Sequence, residues 1–98
     1  MFVIRDIMHC HPGQVKPMVE KFKLLSAAAQ KMGFRPFRIM TDVCAEQYWT
    51  VVAEVEAESI DKYAEMASKS MTDPALQQIM KDYHTLVASG RREMYKLE

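Results

Sequence analysis

Three histidines are the side chains of this sequence best suited to hold a metal ion or to transfer a proton. His9 and His11 lie two residues apart at the end of a predicted strand, so both imidazoles would point to one side of it, and His84 is a conceivable third ligand. The sequence has no fourth metal ligand at a suitable spacing from these three, so we expect no metal site. We expect His9 to lie at the rim of the sheet. His84 borders the apolar stripe of a predicted helix. It is either a partly exposed surface histidine or a general acid or base.

Two charges inside the first apolar segment are a second candidate for chemistry. Arg5 and Asp6 interrupt the run FVIRDIMHC. A charge in a covered sheet must be paired or must line a wet cavity, because burying it alone is too costly. One interpretation is a cross-strand ion pair, for example to Glu54 or Arg92. The other is a cavity that orients a small ligand. Its predicted ligand-binding residues are Asp6, Arg38, Tyr48, Thr50 and Glu54.

The motifs that bind common cofactors or activate a nucleophile are absent. The sequence has no glycine-rich phosphate loop, no GxSxG turn and no cysteine with an assignable histidine partner. Its three glycines are too few for a dinucleotide-binding fingerprint. We therefore expect no tightly bound metal, nucleotide or haem.

Composition limits the class of protein and its partners. The 98 residues, 49% of them hydrophobic, predict one folded domain, residues 1 to 98, with a thin core. Thirteen basic and thirteen acidic side chains balance, so we expect neither nucleic acid nor a membrane surface as a partner. Cys10 and Cys44 show no disulfide or CxxC pattern, which predicts free thiols in a reducing cytoplasm.

The first half of the chain predicts three strands and one helix. Residues 2 to 10 form a strand, and an apolar stripe from Val15 to Met32 forms a helix that Gly33 ends. Residues 34 to 42 form an edge strand, because Pro36 cannot donate a hydrogen bond to a neighbouring strand. Residues 47 to 56, QYWTVVAEVE, form a central strand that pairs with it as a hairpin. The alternation of this strand assigns Trp49 to the apolar core.

The second half predicts two helices and a last strand. Ser59 is the N-cap of a short helix, and Asp73 followed by Pro74 begins the next one. That helix carries an apolar stripe from Leu76 to Val87 and ends at Gly90. Residues 91 to 97 alternate as a strand.

This order of elements predicts an α+β, ferredoxin-like fold. Strand, helix, strand, strand, helix pair and strand form the split βαβ arrangement, a four-stranded antiparallel sheet with helices on one face. The uncovered face would be half apolar, which predicts a partner. We expect a homodimer in which two such faces close a barrel.

The same features resemble the dimeric α/β-barrel superfamily. They are the His11-Pro12-Gly13 turn, the Gly33 stop, the YWTVVAEVE strand before Ser59 and the break at Ser70 to Pro74. Ile4-Arg5-Asp6 before Pro12-Gly13 resembles the NIPSNAP branch, and the hairpin with the helix pair also resembles the antibiotic biosynthesis monooxygenase branch. Haem-degrading members carry Asn, Trp and His where this chain has Asp6, Tyr63 and Ile79, so the resemblance does not imply haem degradation.

Two functions follow from this resemblance and from the predicted charges. The first is a homodimeric protein that binds a small apolar or aromatic molecule in the barrel and, as in some members of the superfamily, acts on it with oxygen and no cofactor. The second is a non-catalytic assembly module whose barrel is packed with side chains. An open or a filled space between the sheets would discriminate between them.

Overall fold

A computed structural model describes all 98 residues of the chain, 1 to 98. It contains four strands and four helices, of which the last two helices are short. In chain order the elements are β1 (Phe2–Cys10), α1 (Val15–Gln30), β2 (Arg38–Thr41), β3 (Thr50–Ala57), α2 (Ile60–Met71), α3 (Pro74–Ile79), α4 (Tyr83–Leu86) and β4 (Val87–Lys96). None of the helices is both long and apolar enough to cross a membrane.

The four strands form one antiparallel sheet in the order β2-β3-β1-β4. This arrangement confirms the predicted α+β, ferredoxin-like fold with β1 and β3 in the centre. In the central pair Ile4 lies opposite Val55 and Met8 lies opposite Val51. These four side chains point towards the helices, because strand side chains alternate between the two faces.

The core fills the space between this face of the sheet and the helices. Met18 and Phe22 of α1 pack against Met8 and Val51, and Tyr63 of α2 packs against Ile4. Met18, Ile4 and Val51 are the largest side chains that are almost fully buried. The opposite face of the sheet carries no helix, so the sheet has a helix-covered face and an open face.

The predicted helix ends are confirmed where capping chemistry defines them. The Ser59 hydroxyl accepts a hydrogen bond from the Lys62 amide at 3.0 Å, and the Asp73 carboxylate accepts bonds from the amides of Ala75 and Leu76. Gly33 follows α1 with φ of 99°, the left-handed conformation expected after a helix.

The hairpin of β2 and β3 is confirmed, but both strands are shorter than predicted. Strand β3 begins at Thr50, so Trp49 lies outside it with φ of 61° and is 43% exposed. The assignment of Trp49 to the core is therefore wrong. The Asp42 carboxylate accepts a hydrogen bond from the Thr50 amide at 2.9 Å, and this contact closes the loop of residues 43 to 49 at its base.

The predicted third helix is also wrong in its length. It divides into α3 and α4, and β4 then begins at Val87, so Gly90 lies inside a strand instead of ending a helix. Lys21 of α1 donates a hydrogen bond to the Ile79 carbonyl at 2.6 Å, where α3 ends. A Cβ atom at Gly90 would lie 3.0 Å from the Ile7 carbonyl oxygen, so the close approach of β4 to β1 explains this glycine.

Candidate functional site

A cavity of about 810 Å³ lies between the helix-covered face of the sheet and the helices. Fifteen of its 23 lining residues are hydrophobic, which suits an apolar ligand more than a hydrated ion. Strands β1 and β4 form its floor, and all four helices contribute to its walls. Its polar side chains include Asp6, Tyr63, Ser70, Gln77, Tyr83, His84 and Arg92.

An ion pair crosses the floor of this cavity. The Arg92 Nε atom donates to Asp6 Oδ1 at 2.6 Å, and Nη2 donates to Oδ2 at 3.4 Å. The two residues are direct partners on adjacent strands, and both point to the helix-covered face. The hydrogen bond to Asp6 raises the pKa of the Arg92 guanidinium. We call this contact the cavity ion pair; it confirms one of the two interpretations of Asp6, a cross-strand pair to Arg92.

Two tyrosines add hydroxyl groups near the cavity ion pair. The guanidinium of Arg92 lies 5.8 Å from the ring centroid of Tyr63, and the Tyr83 ring packs edge-on against Phe22 at 6.3 Å. Burial raises the pKa of both phenols; the Asp6 carboxylate raises it further, and the Arg92 guanidinium offsets part of this rise. Both tyrosines therefore stay protonated at neutral pH and can donate a hydrogen bond into the cavity.

The histidines do not come together. His84 is exposed at the cavity mouth, with its ring 5.3 Å from that of Tyr83, whereas the Nδ1 atom of His9 lies 3.1 Å from Thr50 Oγ1 on the open face. His11 is exposed in the turn after β1. No group of three histidine, cysteine or carboxylate side chains is placed to hold a metal ion.

The open face has a separate charge cluster. Glu54 accepts hydrogen bonds from Arg5, at 2.9 Å, and from Arg38. Its side chain is only 5% exposed. Burial alone would raise the pKa of Glu54, but the hydrogen bonds and charges of the two arginines outweigh burial and hold the pKa below its ordinary value.

Comparison with known proteins bears on the fold. Neither a protein-family model nor a curated protein matches this sequence. Among solved structures, Atu4242 of Agrobacterium tumefaciens, described as a NIPSNAP family protein of unknown function, aligns with a TM-score of 0.86 at 15% identity, covering 100% of this chain and 94% of that one. An uncharacterized NIPSNAP domain protein from Burkholderia xenovorans aligns with 0.85 at 13% identity, covering 100% and 95%.

A third neighbour belongs to the other predicted branch. It is a protein of Nitrosomonas europaea whose name relates it to antibiotic biosynthesis monooxygenases, and it aligns with a TM-score of 0.75 at 10% identity, covering 99% of this chain and 98% of that one. The chain has the fold of these two groups. At identities of 10 to 15% this likeness establishes the fold alone, and the predicted NIPSNAP-like fold is confirmed.

Within the NIPSNAP-like fold the five predicted ligand-binding residues are separated. Asp6 lines the cavity, whereas Arg38, Thr50 and Glu54 lie on the open face, and Tyr48 is 86% exposed in the loop before β3. One chain therefore does not form the shared cavity that was predicted. The reason is alternation: Asp6 lies opposite Ala53, so it shares a face with Ala53 and not with the even-numbered residues of β3.

Sequence reasoning overlooked Tyr63 and Tyr83 and gave Arg92 no role in ligand binding. The apolar stripe from Leu76 to Val87 predicts a core position for Tyr83, and Tyr63 lies in the short helix that Ser59 begins. Their hydroxyl groups could have indicated a cavity, because a buried tyrosine needs a polar partner or water. Arg92 was considered only as one partner for Asp6. Arg92 lies in an alternating strand, so the register of that strand against β1 determines that its side chain faces the helices.

The low pKa of Glu54 predicts a pH dependence of stability. A carboxylate whose pKa is lowered on folding stabilises the protein above its ordinary pKa of 4.5, and this contribution disappears as the pH falls through the lower folded-state value. We expect Glu54→Gln to be less stable than the wild type at pH 7 and to lose less stability between pH 7 and pH 3. Urea unfolding followed by circular dichroism measures this difference.

Glu56→Gln is the matched control, because Glu56 lies on the same strand and face without an arginine partner. It should follow the wild-type pH profile. Parallel profiles for Glu54→Gln and the wild type would contradict the predicted role of the arginines.

Proposed function

We propose that the protein binds a small, largely apolar or aromatic molecule in the cavity between its sheet and its helices. The observation that carries this proposal is the cavity itself, about 810 Å³ in volume and mostly apolar in lining. Ligand pockets generally have volumes of about 300 to 1,000 Å³, with a few polar groups among apolar walls. The cavity fits this description in size and in chemistry.

The alternative, an assembly module with a packed interior, has less support. Native cores are closely packed, and empty apolar space lowers stability. The cavity lies on the helix-covered side of the sheet and not between two sheets, so it leaves the packing of a barrel between two copies undecided; it is, however, an apolar space that association through the open face would not use. The polar side chains that line it, Tyr63, Tyr83 and Arg92 among them, would have no ligand to contact in such a module.

The polar groups define where a ligand's polar substituent would lie. Arg92 keeps guanidinium N–H groups that Asp6 does not occupy, and the hydroxyls of Tyr63 and Tyr83 reach the same cavity. Most of the remaining lining is apolar. A ring system with a hydroxyl or carbonyl group would satisfy these donors while its remaining surface contacts the apolar walls.

Filling the cavity should abolish binding. Ala67 of α2 lines the cavity, whereas Ala64, one turn earlier, is exposed. We expect Ala67→Trp to weaken binding of a naphthol probe at least tenfold, because the indole would occupy the ligand's volume. Isothermal titration calorimetry measures the affinity of this variant and of the wild type.

Ala64→Trp is the control for this experiment, since it adds the same side chain to the solvent face of the same helix. It should bind as the wild type does. Failure of a broad set of apolar and aromatic compounds to raise the melting temperature of the wild type would refute the binding proposal itself.

The proposal extends to oxygenation of the bound molecule without a cofactor, with His84 as the catalytic residue. His84 lies at the cavity mouth beside Tyr83, where it could remove a proton from an activated methylene group of the ligand. Molecular oxygen is the oxidant: two C–H bonds break, a C=O bond forms, the O–O bond breaks, and the second oxygen atom leaves as water. The name of the Nitrosomonas europaea neighbour, which relates it to monooxygenases, supports this extension.

Oxygen consumption tests this extension directly. With an activated methylene compound such as anthrone, we expect uptake of one O₂ per molecule converted and at least a tenfold lower rate for His84→Ala. His11→Ala is the control, because His11 is exposed and does not line the cavity. Equal rates for His84→Ala and the wild type would remove His84 from the mechanism.

We further propose that the protein acts as a homodimer in the cytoplasm, joined through the open face of the sheet. Ile7 and Val52 form a cross-strand pair at the centre of this face, and the ion pairs of Glu54 flank them. Arg38, Thr50 and Glu54 would then line the space between the two sheets, where the predicted ligand contacts of these residues remain possible. The cysteines, Cys10 and Cys44, are both free thiols, which suits a reducing compartment.

A charge at the centre of the open face should dissociate the dimer. We expect sedimentation equilibrium at micromolar concentration to give a dimer for the wild type and a monomer for Val52→Arg, because the added guanidinium would be buried without a partner. Leu24→Arg is the control, since Leu24 is 61% exposed on α1. A monomeric wild type would refute this arrangement.

A further inference from the structure

The charged groups that line the cavity are already paired within the chain. Asp6 holds Arg92 through two hydrogen bonds, and the neighbouring Arg91 donates to Glu93 at 3.1 Å. The net charge that a ligand meets at the cavity ion pair is therefore close to zero. A site built to bind an anion would present a guanidinium whose charge is not already neutralised by a carboxylate of the protein.

The two partners of the cavity ion pair differ in their freedom to move. Asp6 lies in the central strand β1, which pairs with strands on both sides, and its side chain is 28% exposed. Arg92 lies on the edge strand β4, and its longer side chain is 51% exposed. Asp6 is therefore the less mobile partner. Its negative charge already neutralises that of Arg92 before a ligand enters.

We infer that Asp6 is a specificity-determining residue that restricts the cavity to neutral ligands, and that the natural ligand is an uncharged aromatic molecule with a hydroxyl or carbonyl group. This inference rests on the proposed function. An aromatic carboxylate entering the cavity would lose hydration and would lie beside the Asp6 carboxylate, so that two negative charges would share the single positive charge of Arg92. A neutral hydroxyl group can bond to the remaining N–H and O–H groups while the cavity ion pair stays intact.

Two probes of similar shape and different charge test this inference. At pH 7, 2-naphthol is neutral and 2-naphthoate is an anion. We expect the wild type to bind 2-naphthol at least tenfold more tightly than 2-naphthoate in isothermal titration calorimetry. We expect Asp6→Asn to gain at least tenfold in affinity for 2-naphthoate, because Arg92 is then a free cation in an apolar cavity, with little change for 2-naphthol.

Two further variants make the result specific. Glu65→Gln removes the same charge from the solvent face of α2, where Glu65 pairs with Lys69, and should keep the wild-type preference. Asp6→Asn combined with Arg92→Met should lose the gained affinity for 2-naphthoate. Circular dichroism and the melting temperature confirm that each variant is folded before titration.

Each outcome has one meaning. The inference is overturned if the wild type binds both probes equally, if it prefers 2-naphthoate, or if Asp6→Asn leaves the preference unchanged; in these three cases the cavity still binds ligands and the proposed function stands. If the wild type binds neither probe and no compound of a broader aromatic set, the proposed function fails and the inference fails with it.

Discussion

Alternation along the two central strands determines on which face of the sheet each of their charges lies. Strand β1 pairs with β3 so that Ile4 and Met8 face the helices together with Val55 and Val51. A slip of β1 by one residue would move Arg5 into the helix-covered core and would move Ile4 and Met8 out of it. The cost of burying that charge without water selects a single register, and the remaining structure depends on that choice.

Asp6 is the exception that this register imposes. It lies between Ile4 and Met8 on the row that faces the helices, where a lone carboxylate could not stay ionised without a partner. Arg92, directly opposite on β4, supplies the partner, and the cavity supplies access to water. The single acidic residue of the helix-covered face is thus neutralised at the floor of the cavity, whereas the charges of the open face are neutralised by one another.

The elements defined by local chemistry could be predicted from the sequence, and those defined by long-range contacts could not. Ser59 and Asp73 cap helices through their own side chains, so the residue type alone locates both helix ends. Trp49 fits the alternation of its neighbours, yet the loop bonds of Asp42 and Thr50 end the strand before it. Gly90 has the residue type of a helix terminator, and only its approach to Ile7 explains its place in a strand.

The face of the sheet on which Asp6 lies is also set by long-range contacts. Asp6 stood out because a charge in an apolar strand is unusual, but the sequence offered two faces of similar bulk and no means of choosing between them. The helix-covered face was identified only by the packing of Met18 and Phe22. Consequently Arg38, Thr50 and Glu54 were grouped with Asp6, although the sheet separates them from it.

Strand β4 also has a consequence for the behaviour of the protein in a crowded solution. It is ten residues long and lies at the edge of the sheet, so its outer backbone groups are open to a strand from another molecule. Arg91, Arg92, Glu93 and Lys96 place charges along it. A foreign strand would have to dehydrate these groups in order to pair, so Arg92, which lines the cavity, and its charged neighbours also protect the sheet against edge-to-edge aggregation.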